Sequence, residues 1–346
     1  MGNEKNMKSS NKTLIVAEIS ANHGGYFKKA TQLIKKAKKA GADAVKFQTY
    51  TADSLTIDVR NRYFMIKHPK WGGQTLYQLY RKAYTPWAWF KKLKAVADDS
   101  GIAFFSTSFD KTSVDFLEKL NVSCHKIASF ELVDIPLIEY AAQTRKPLIL
   151  STGMAGIQEI REAVEAAHRA GATDITLLKC VSSYPAKPNE MNIRTIPDLQ
   201  KRFGVCVGLS DHTLGVEVAT AAVALGATFI EKHFTLDRKI KTPDSFFSIE
   251  PPELEKLVQT VRITERCLGK VYYGPTRNEA KSRIFRRSLF VVQDIKAGEC
   301  FTERNIRSIR PAYGLPPRFL KKVLTGKAAR NLKRGEPLTN DAVITA

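Results

Sequence analysis

Short runs of apolar, β-prone residues alternate along most of the chain with longer amphipathic segments. From Leu14 to about Cys267, each apolar run is followed by a polar or glycine-containing turn and then by a segment of helical periodicity. The predicted strands are Leu14–Ser20, Ala44–Tyr50, Ala103–Phe109, His125–Ser129, Leu148–Thr152, Ile175–Cys180, Val205–Ser210 and Thr228–Phe234. Eight strand–helix repeats in about 250 residues predict an α/β fold, a closed (β/α)8 TIM barrel.

The connection between the second and third predicted strands is unusually long and runs from Thr51 to about Pro86. It contains Trp71-Gly-Gly-Gln-Thr-Leu-Tyr-Gln-Leu-Tyr80. Loops that follow barrel strands lie over the catalytic face, and loops of this length usually serve a function. We expect this connection to act as a lid or a specificity loop.

The strand–helix pattern ends in a basic segment that contains glycine and proline. Beyond it, Asp294-Ile-Lys-Ala-Gly-Glu299 is echoed by Asn331-Leu-Lys-Arg-Gly-Glu336, and this repeat predicts a small pseudo-symmetric domain of short strands. We therefore expect a barrel domain with an N-terminal extension over residues 1–270, a linker over 271–285 and a small domain over 286–346.

The chain of 346 residues has a formal net charge of +21, which suggests an anionic partner. Its lysines are dispersed along amphipathic segments such as Phe27–Ala40, and no nucleic-acid motif accompanies them. Residues 283–346 contain fourteen Lys or Arg against five Asp or Glu, a net charge of +9. We therefore expect a small, multiply charged substrate and no nucleic-acid partner.

Five cysteines without a C-x-x-C pair argue against a disulfide framework and against a zinc ribbon. The apolar run from Leu14 to Ala17 is too short for a signal peptide, and no segment is long enough to span a bilayer. The sequence therefore predicts a cytoplasmic protein without a membrane partner.

Two histidines, His212 and His233, lie at the C-terminal ends of the last two predicted strands, in matching positions. A helix over Val216–Leu225 would make this stretch a right-handed strand–helix–strand unit, which brings both rings to the same edge of the barrel. A single histidine at a strand end is usually a hydrogen-bonded packing residue, but two in register can share a metal ion. Asp211 and Glu231 beside them are candidates to orient the rings. Two nitrogen ligands leave the coordination sphere open, as a catalytic metal requires.

Further polar side chains collect at the strand ends, where barrel active sites lie. Lysines and hydroxyl groups there predict a cradle for a compact polyanion such as a phosphorylated small molecule. Glu18 and Glu131 are candidate acids or bases. Carboxyl groups near lysines or a metal can have different pKa values, so that one donates a proton and the other accepts one. The strand-end set is Glu18, Lys46, Gln48, Ser106, Thr107, Lys126, Ser129, Glu131, Ser151, Lys179, Ser182, Ser183, Tyr184, Ser210, Asp211, His212 and His233.

With these motifs the chain resembles the sialic acid synthase family over nearly its whole length. The C-terminal part, which contains Ser308-Ile-Arg-Pro311, is similar to the antifreeze-like domain of that family, a SAF or β-clip fold. The matching motifs are Ala17-Glu-Ile-Ser-Ala-Asn-His-Gly-Gly25, Val45-Lys-Phe-Gln-Thr49, Phe105-Ser-Thr-Ser-Phe109, Lys126-Ile-Ala-Ser-Phe-Glu131, Leu150-Ser-Thr-Gly-Met154, Gly208-Leu-Ser-Asp-His-Thr213 and Glu231-Lys-His-Phe234.

The resemblance implies that phosphoenolpyruvate condenses with the open-chain aldehyde of an N-acetylated amino sugar, giving a nine-carbon 2-keto acid and phosphate. It implies that His212 and His233 bind a divalent metal, typically Mn²⁺ with Mg²⁺ or Co²⁺ as alternatives, which polarises the aldehyde. It also implies a domain-exchanged homodimer in which Arg310 reaches the site of the other subunit. The implied ligands of phosphoenolpyruvate are Lys46, Thr107, Lys126, Ser129, Ser151, Ser182 and Ser210. The groups around the sugar and the attacking water would be Glu18, Gln48, Tyr184 and Asp244.

Within this family, the segments 126–131 and 72–80 are more similar to the pseudaminic acid synthases. Sialic acid synthases typically carry a glycine where this chain has Phe130. An aromatic ring beside Glu131 would make the pocket more apolar, which suits 2,4-diacetamido-2,4,6-trideoxy-L-altrose better than a hydroxyl-rich sugar.

Three alternatives stay open. One is an N-acetylneuraminate or legionaminate synthase that uses N-acetylmannosamine or a related amino sugar. Another is a Schiff-base aldolase that uses Lys126 or Lys179, since lysines at barrel strand ends can form imines. A third is a non-catalytic protein that binds a carbohydrate or an anion through the small domain.

Overall fold

Eight parallel strands close into a barrel in the computed structural model, which describes residues 12–345. Residues 1–11, where the predicted N-terminal extension falls, and Ala346 lie outside the described residues. The strands are β1 Leu14–Glu18, β2 Ala44–Thr49, β3 Ala103–Ser108, β4 His125–Ile127, β5 Leu148–Ser151, β6 Ile175–Cys180, β7 Cys206–Asp211 and β8 Phe229–His233. Each strand pairs with the next, and β8 pairs with β1, so that Glu18 lies opposite His233. The predicted barrel is confirmed, with strand bounds that differ from the predicted ones by no more than two residues.

Helices connect the strands on the outside of the barrel. In the first of them, which begins at Phe27, alanine, leucine and isoleucine face the strands while the lysines face solvent, as its amphipathic pattern predicts. The helices of this part of the chain are α1 Phe27–Lys39, α2 Ala52–Leu55, α3 Leu76–Ala83, α4 Phe90–Ser100, α5 Lys111–Lys119, α6 Ile135–Ala142, α7 Ile157–Arg169, α8 Thr195–Phe203, α9 Glu217–Ala224 and α10 Pro251–Leu268. No helix among residues 12–345 combines the length and the apolar character needed to cross a membrane.

The interior of the barrel changes from apolar to polar along the strands. Its first layers are filled by a cluster of seven buried side chains: Val16, Ala44, Phe105, Cys124, Ile149, Leu178 and Phe229. Side chains alternate between the two faces of a strand, so the residue two positions further along each strand also points inward. Those positions carry Glu18, Lys46, Thr107, Lys126, Ser151, Cys180 and Glu231. The polar side chains at the C-terminal end of the barrel thus lie directly above apolar layers.

Gly208 of β7 permits this packing inside the barrel. A Cβ atom added there would collide with the carbonyl oxygen of Phe229 and would lie 2.8 Å from Cδ2 of Leu178. Neither contact is sterically allowed, so the approach of β7 to its neighbours requires glycine.

Arg262 of α10 forms hydrogen bonds at the N-terminal end of the barrel. Its guanidinium donates to the carbonyl oxygen of Thr13 at 2.8 Å and to Oδ2 of Asp43 at 2.7 Å, and it also pairs with Glu265. Asp43 in turn accepts the backbone N–H of Ile15 at 3.0 Å. One arginine therefore fixes the starts of β1 and β2 to the last helix of the barrel.

The chain divides into two compact units, and the second unit begins at Lys270. Part of the predicted linker forms helix α11 Arg277–Ser282 within this unit. Its remaining elements are β9 Ser288–Val291, β10 Ile306–Ile309, α12 Leu320–Val323, β11 Lys327–Ala328 and β12 Val343–Ile344, which surround a small apolar core. The strands β9 and β10 form one antiparallel pair, and β11 and β12 form another.

The internal repeat of the second unit is visible in its hydrogen bonds. Asn331 Oδ1 accepts the backbone N–H of Ala297 at 2.8 Å, and its counterpart Asp294 Oδ1 accepts the backbone N–H of Arg334 at 2.8 Å. Ile295 pairs with Leu332 between the two copies. The two copies therefore face each other in a reciprocal arrangement, as the echo in the sequence predicts.

Candidate active site

A pocket at the C-terminal end of the barrel brings together ten of the fifteen predicted site residues. Every strand from β2 to β8 contributes to its wall, either directly or through the loop that follows it. The lining residues are Lys46, Gln48, Thr107, Lys126, Ala128, Ser129, Phe130, Ser151, Cys180, Tyr184, Ser210, His212, Glu231 and His233. Of these, Ala128 and Cys180 were not singled out in the sequence, although alternation along β6 places Cys180 on the inner face.

Two buried amines form the floor of the pocket. Nζ of Lys46 donates to Oγ1 of Thr107 at 2.8 Å, and Nζ of Lys126 donates to Oγ of Ser151 at 2.6 Å. Both lysines are almost completely buried, which is costly for a charged amine unless anions or hydroxyl groups surround it. The floor is therefore suited to an anionic ligand with several oxygen atoms.

Gly153, after β5, leaves space for hydroxyl groups at the side of this floor. Its N–H donates to Oγ of Ser129 at 3.1 Å. A Cβ atom at this position would lie 2.7 Å from Oγ of Ser129 and would also collide with Oγ of Ser182. This places the predicted residue Ser182 next to Ser129, although Ser182 does not line the pocket itself.

Two carboxyl groups accompany the lysines. Oε2 of Glu18 lies 2.7 Å from Nζ of Lys46, and Oε1 of Glu231 lies 3.5 Å from the same atom. Burial raises the pKa of Glu18 to about 8, although Lys46 opposes this shift. For Glu231, burial is outweighed by Lys126 and Lys46, and its pKa is lowered. The pKa values of these two neighbouring carboxyl groups therefore differ: Glu231 is ionised, and Glu18 can hold a proton near neutral pH.

Glu131 lies in a short 3-10 turn, Ser129–Glu131, after β4. Burial raises its pKa to about 7, and Lys126 opposes this shift. Its Oε2 is buried and has no hydrogen-bond partner among residues 12–345. A buried carboxyl oxygen without a partner is costly in the free protein, so it is suited to contact a bound ligand.

The two histidines meet at one side of the pocket, with ring centroids 5.3 Å apart. Tyr184 packs against His212 at 4.4 Å and Phe247 packs against His233 at 4.8 Å, measured between ring centroids. Burial, and then the neighbouring His212, lowers the pKa of His233 well below its usual value. Since the neutral imidazole is the form that ligates metals, His233 is in the required protonation state.

Each histidine ring has a nitrogen that can ligate a metal ion. Nδ1 of His212 lies 2.9 Å from the carbonyl oxygen of Val181 and must donate to it, so in the neutral ring the lone pair is on Nε2. Nδ1 of His233 is buried and has no hydrogen-bond partner within the described part of the chain; Oδ2 of Asp244 is 3.9 Å away. Residues 12–345 contain no group of three or more His, Cys, Asp or Glu side chains arranged to hold a metal. Two protein nitrogens would leave the remaining positions to water and substrate.

The expectation that Asp211 orients a histidine ring is wrong. Its Oδ2 accepts a hydrogen bond from Nζ of Lys232 at 2.6 Å, and its Oδ1 accepts from Thr213. Asp211 and Lys232 point away from the pocket because residues next to an inward-facing position lie on the other face of the strand. Glu231 does point inward, but its partners are Lys46 and Ser210. The alternation of side chains along β7 and β8 could have shown this from the sequence.

Phe130 lies at the mouth of the pocket. It lines the wall, yet 59% of its surface is exposed. The apolar surface that this ring was expected to add to the pocket is therefore that of a largely exposed side chain. Without a substrate, the ring contributes an exposed apolar edge rather than part of a closed core.

Asp244 lies in the loop after β8, beside the pocket. Its Oδ2 accepts hydrogen bonds from Oγ of Ser20 at 2.5 Å and from the N–H of Ala21 at 3.3 Å. Burial raises its pKa, and the bonds from Ser20 and Ala21 oppose the shift. Sequence reasoning missed Ser20, whose only signal was its place two residues after Glu18.

The long second connection reaches the same loop through Trp71. Nε1 of Trp71 donates to the carbonyl oxygen of Pro243 at 2.8 Å, and its ring centroid lies 5.7 Å from that of Tyr184. The segment predicted as a lid or specificity loop therefore contacts the wall of the pocket.

The remaining predicted residues lie elsewhere. Arg310 follows β10 in the second unit and is exposed. Lys179, one of the two candidate Schiff-base lysines, is outside the pocket lining and donates to the carbonyl oxygen of Cys180 at 3.2 Å. Lys126, the other candidate, is in the pocket, and burial lowers its pKa.

Comparison with known proteins assigns this arrangement to a family. The sequence model of the NeuB family matches residues 33–273, and the SAF domain model matches residues 286–344. Pseudaminic acid synthase from Campylobacter jejuni is 42% identical over 333 residues, 96% of this chain and 97% of the relative. Pseudaminic acid synthase from Helicobacter pylori is 43% identical over 331 residues, 95% of this chain and 97% of the relative.

A solved structure shows the same likeness. N-acetylneuraminic acid synthetase from Leptospira borgpetersenii, in complex with citrate, superposes with a TM-score of 0.71 at 34% identity and covers 79% of this chain and 91% of its own. The NeuB family model matches most of the chain, relatives are matched over almost its entire length, and the chain belongs to the NeuB family.

Proposed function

We propose that this protein is a pseudaminic acid synthase, which condenses phosphoenolpyruvate with 2,4-diacetamido-2,4,6-trideoxy-L-altrose to give a nine-carbon 2-keto acid and phosphate. The observation that carries the proposal is the pocket in which two buried lysines, several hydroxyl groups and two histidines converge. The choice of sugar is supported by the identity of 42% and 43% to two pseudaminic acid synthases over nearly the full chain.

Phosphoenolpyruvate is assigned to the floor of the pocket. Its phosphate and carboxylate oxygens would accept hydrogen bonds from the amines of Lys46 and Lys126 and from the hydroxyl groups around them. These amines already bind hydroxyl oxygens, so their donors are oriented before the ligand arrives. The hydroxyl groups assigned to this role are those of Thr107, Ser129, Ser151, Ser182 and Ser210.

The histidine pair is assigned to the metal, for which we propose Mn²⁺, with Mg²⁺ or Co²⁺ able to substitute. A divalent ion there would polarise the aldehyde oxygen of the open-chain sugar as a Lewis acid. His212 and His233 are suited to this role because their ring centroids lie 5.3 Å apart and Nδ1 of His233 has no hydrogen-bond partner among the described residues.

In the reaction, C3 of phosphoenolpyruvate forms a bond to the aldehyde carbon, and the aldehyde oxygen takes a proton. Water adds at C2 and gives up one proton. When the bond between C2 and its bridging oxygen then breaks, the C2 hydroxyl loses its proton to form the ketone, and the leaving phosphate takes that proton. Glu18 and Glu131, with pKa values raised to about 8 and about 7 by burial, can each accept or supply a proton near neutral pH. Glu18 adjoins Lys46 at the floor, and Glu131 follows Phe130 in the turn after β4.

The amino sugar is assigned to the mouth of the pocket. Gln48 and Tyr184 line the pocket, and Asp244 lies beside it, 3.9 Å from His233. Burial raises the pKa of Tyr184, so its hydroxyl stays a donor. Phe130 provides an apolar edge for the C6 methyl group of a 6-deoxy sugar. We further propose that the protein is a domain-exchanged homodimer in which Arg310 of one subunit donates to an acetamide carbonyl in the site of the other. The proposal places the reaction in the cytoplasm, the compartment expected to supply phosphoenolpyruvate.

N-acetylneuraminate synthase is the second candidate, favoured by the structural likeness to the Leptospira enzyme. A phosphate-release assay with phosphoenolpyruvate, Mn²⁺ and a panel of amino sugars separates the candidates. The proposal predicts the highest kcat/KM with 2,4-diacetamido-2,4,6-trideoxy-L-altrose. A higher value with N-acetylmannosamine would favour the second candidate, and no release with any sugar would favour a non-catalytic binding protein.

The same preparation tests the Schiff-base alternative. EDTA should abolish phosphate release and Mn²⁺ should restore it. Borohydride with the keto-acid product should leave the enzyme active, because the proposed reaction forms no imine with Lys126. Inactivation by borohydride would instead support an aldolase.

A further inference from the structure

Ser20, two residues after Glu18, is held in a backbone conformation that side chains rarely adopt. Its φ is +45°, in the left-handed region where a Cβ atom crowds the following carbonyl group. In the described part of the chain, four other non-glycine residues share such a φ: Asn121, Arg145, Met154 and Asn192. A conformation of this kind persists where the surrounding contacts fix it.

The contacts at Ser20 converge on one carboxylate oxygen. The buried Oγ of Ser20 donates to Oδ2 of Asp244 at 2.5 Å, and the N–H of Ala21 donates to the same oxygen at 3.3 Å. That oxygen lies 3.9 Å from Nδ1 of His233. The loop after β1 therefore holds the Asp244 carboxylate next to the histidine pair.

The residue before Asp244 is held from another side. Nε1 of Trp71, in the long connection after β2, donates to the carbonyl oxygen of Pro243 at 2.8 Å. The Trp71 ring also lies against Phe246, with ring centroids 6.0 Å apart. Two different loops thus fasten two consecutive residues of the loop after β8, one through the backbone and the other through the side chain.

We propose that Ser20 is a positioning residue of the amino-sugar site, which, together with Trp71, holds the Asp244 carboxylate in a single orientation beside His233. This inference rests on the proposed function, because the sugar is assigned to Asp244 there. Asp244 could otherwise rotate about its side-chain bonds, and a carboxylate that must be ordered during binding weakens the complex.

Two substitutions at Ser20 separate positioning from a structural role. Ser20→Gly removes the hydroxyl group but favours the left-handed turn, so its melting temperature should stay within about 3 °C of the wild type. Ser20→Ala removes the same group and keeps the crowded Cβ atom. In both variants the KM for the amino sugar should rise about tenfold, the usual effect of losing a hydrogen bond to a charged group. The KM for phosphoenolpyruvate should change less than about twofold because its assigned ligands are untouched.

A matched control is Asn121→Gly, which makes the same kind of change at a φ of +53° after α5. Asn121 is exposed and away from the pocket, so the kinetics of this variant should equal those of the wild type. Trp71→Phe removes the donor to Pro243 and keeps an aromatic ring, and it should raise the KM for the sugar but not for phosphoenolpyruvate.

A binding measurement completes the test without turnover. The alditol of the amino sugar lacks the aldehyde and cannot condense, so its affinity can be measured by calorimetry. That affinity should fall about tenfold in both Ser20 variants and stay unchanged in Asn121→Gly. Unchanged sugar KM and alditol affinity in the Ser20 variants, or an equal loss for both substrates, would overturn the inference. Absence of turnover in the wild type with any sugar would instead overturn the proposed function.

Discussion

Lys46 and Glu18 form an ion pair at the floor of the pocket, with 2.7 Å between Nζ and Oε2 and almost no exposure of either side chain. Removing one partner of a buried pair is normally costly, because the other charge is left without compensation. Here the raised pKa of Glu18, about 8, lets this carboxyl group take up a proton instead. In this pair, a lysine assigned to phosphoenolpyruvate contacts a carboxyl group that can be either ionised or protonated.

Lys46→Met should raise the KM for phosphoenolpyruvate at least tenfold. It should also lower the free energy of unfolding by about 1–3 kcal/mol, which is less than the cost of leaving a buried charge fully uncompensated. Steady-state kinetics and thermal unfolding would measure the two effects. The control is Lys94→Met, which removes a surface pair with Asp98 and should change stability by less than about 1 kcal/mol with no kinetic effect. A wild-type KM in Lys46→Met would contradict the assignment of this lysine.

His212→Ala or His233→Ala should abolish Mn²⁺ binding and turnover while the barrel remains folded, since each ring lies at a strand end above the apolar layers. Equilibrium dialysis with metal analysis measures the binding directly, and circular dichroism reports the fold. His168→Ala on α7 is the control and should bind the metal normally. If either active-site variant kept metal-dependent turnover, the two-histidine site would be wrong.

Phe130→Gly should shift sugar preference only modestly. Because 59% of its surface is exposed in the free protein, the loss should be about 1 kcal/mol, below the 3–5 kcal/mol of a buried aromatic residue. The ratio of kcat/KM for the 6-deoxy sugar to that for N-acetylmannosamine should fall about fivefold. Val133→Ala, at a similarly exposed position three residues later, is the control. An unchanged ratio would remove the physical support for the 6-deoxy preference.

Arg310→Ala should raise the KM for the amino sugar far more than the KM for phosphoenolpyruvate. Co-expression of this variant with His233→Ala tests whether the arginine acts between subunits. A mixed dimer would contain one site with an intact barrel and an intact arginine, so activity should return at a near-wild-type sugar KM. Mixed dimers that form but stay as inactive as the single variants would exclude the exchanged arrangement.

The raised pKa of Glu131 should make the stability of the protein depend on pH. Its folded-state pKa is raised from 4.5 to about 7 by burial, so the folded protein keeps a proton that the unfolded chain releases. The contribution of this group to stability is greatest below pH 4.5 and is lost as the pH rises through 7. Between pH 5 and 8.5 the wild type should therefore lose about 1–3 kcal/mol relative to Glu131→Gln.

Differential scanning calorimetry of both proteins at the two pH values would measure this. Glu165→Gln, which makes the same change at an exposed position on α7, provides the reference. A constant difference between wild type and Glu131→Gln across this range would show that Glu131 does not titrate as proposed.

The order and number of the strands follow from the sequence alone. Runs such as Leu148–Ser151 are apolar on both faces, which is typical of strands covered by helices outside and by a filled barrel inside. The same alternation places Lys46, Lys126 and both histidines at strand ends that converge in any closed barrel. For these reasons most of the pocket could be predicted residue by residue.

Other features depend on which loops meet, and local patterns do not encode that. Ser20 donates a hydrogen bond to Asp244, 224 positions away in the sequence, only because β1 pairs with β8. Trp71 reaches Pro243 for a similar reason, through a loop whose path no periodicity describes. The exposure of Phe130 likewise depends on the path of the short turn after β4, which the sequence pattern does not give. Sequence patterns determined which groups face the centre of the barrel, and only the closure of the barrel and the packing of its loops decided which of them touch.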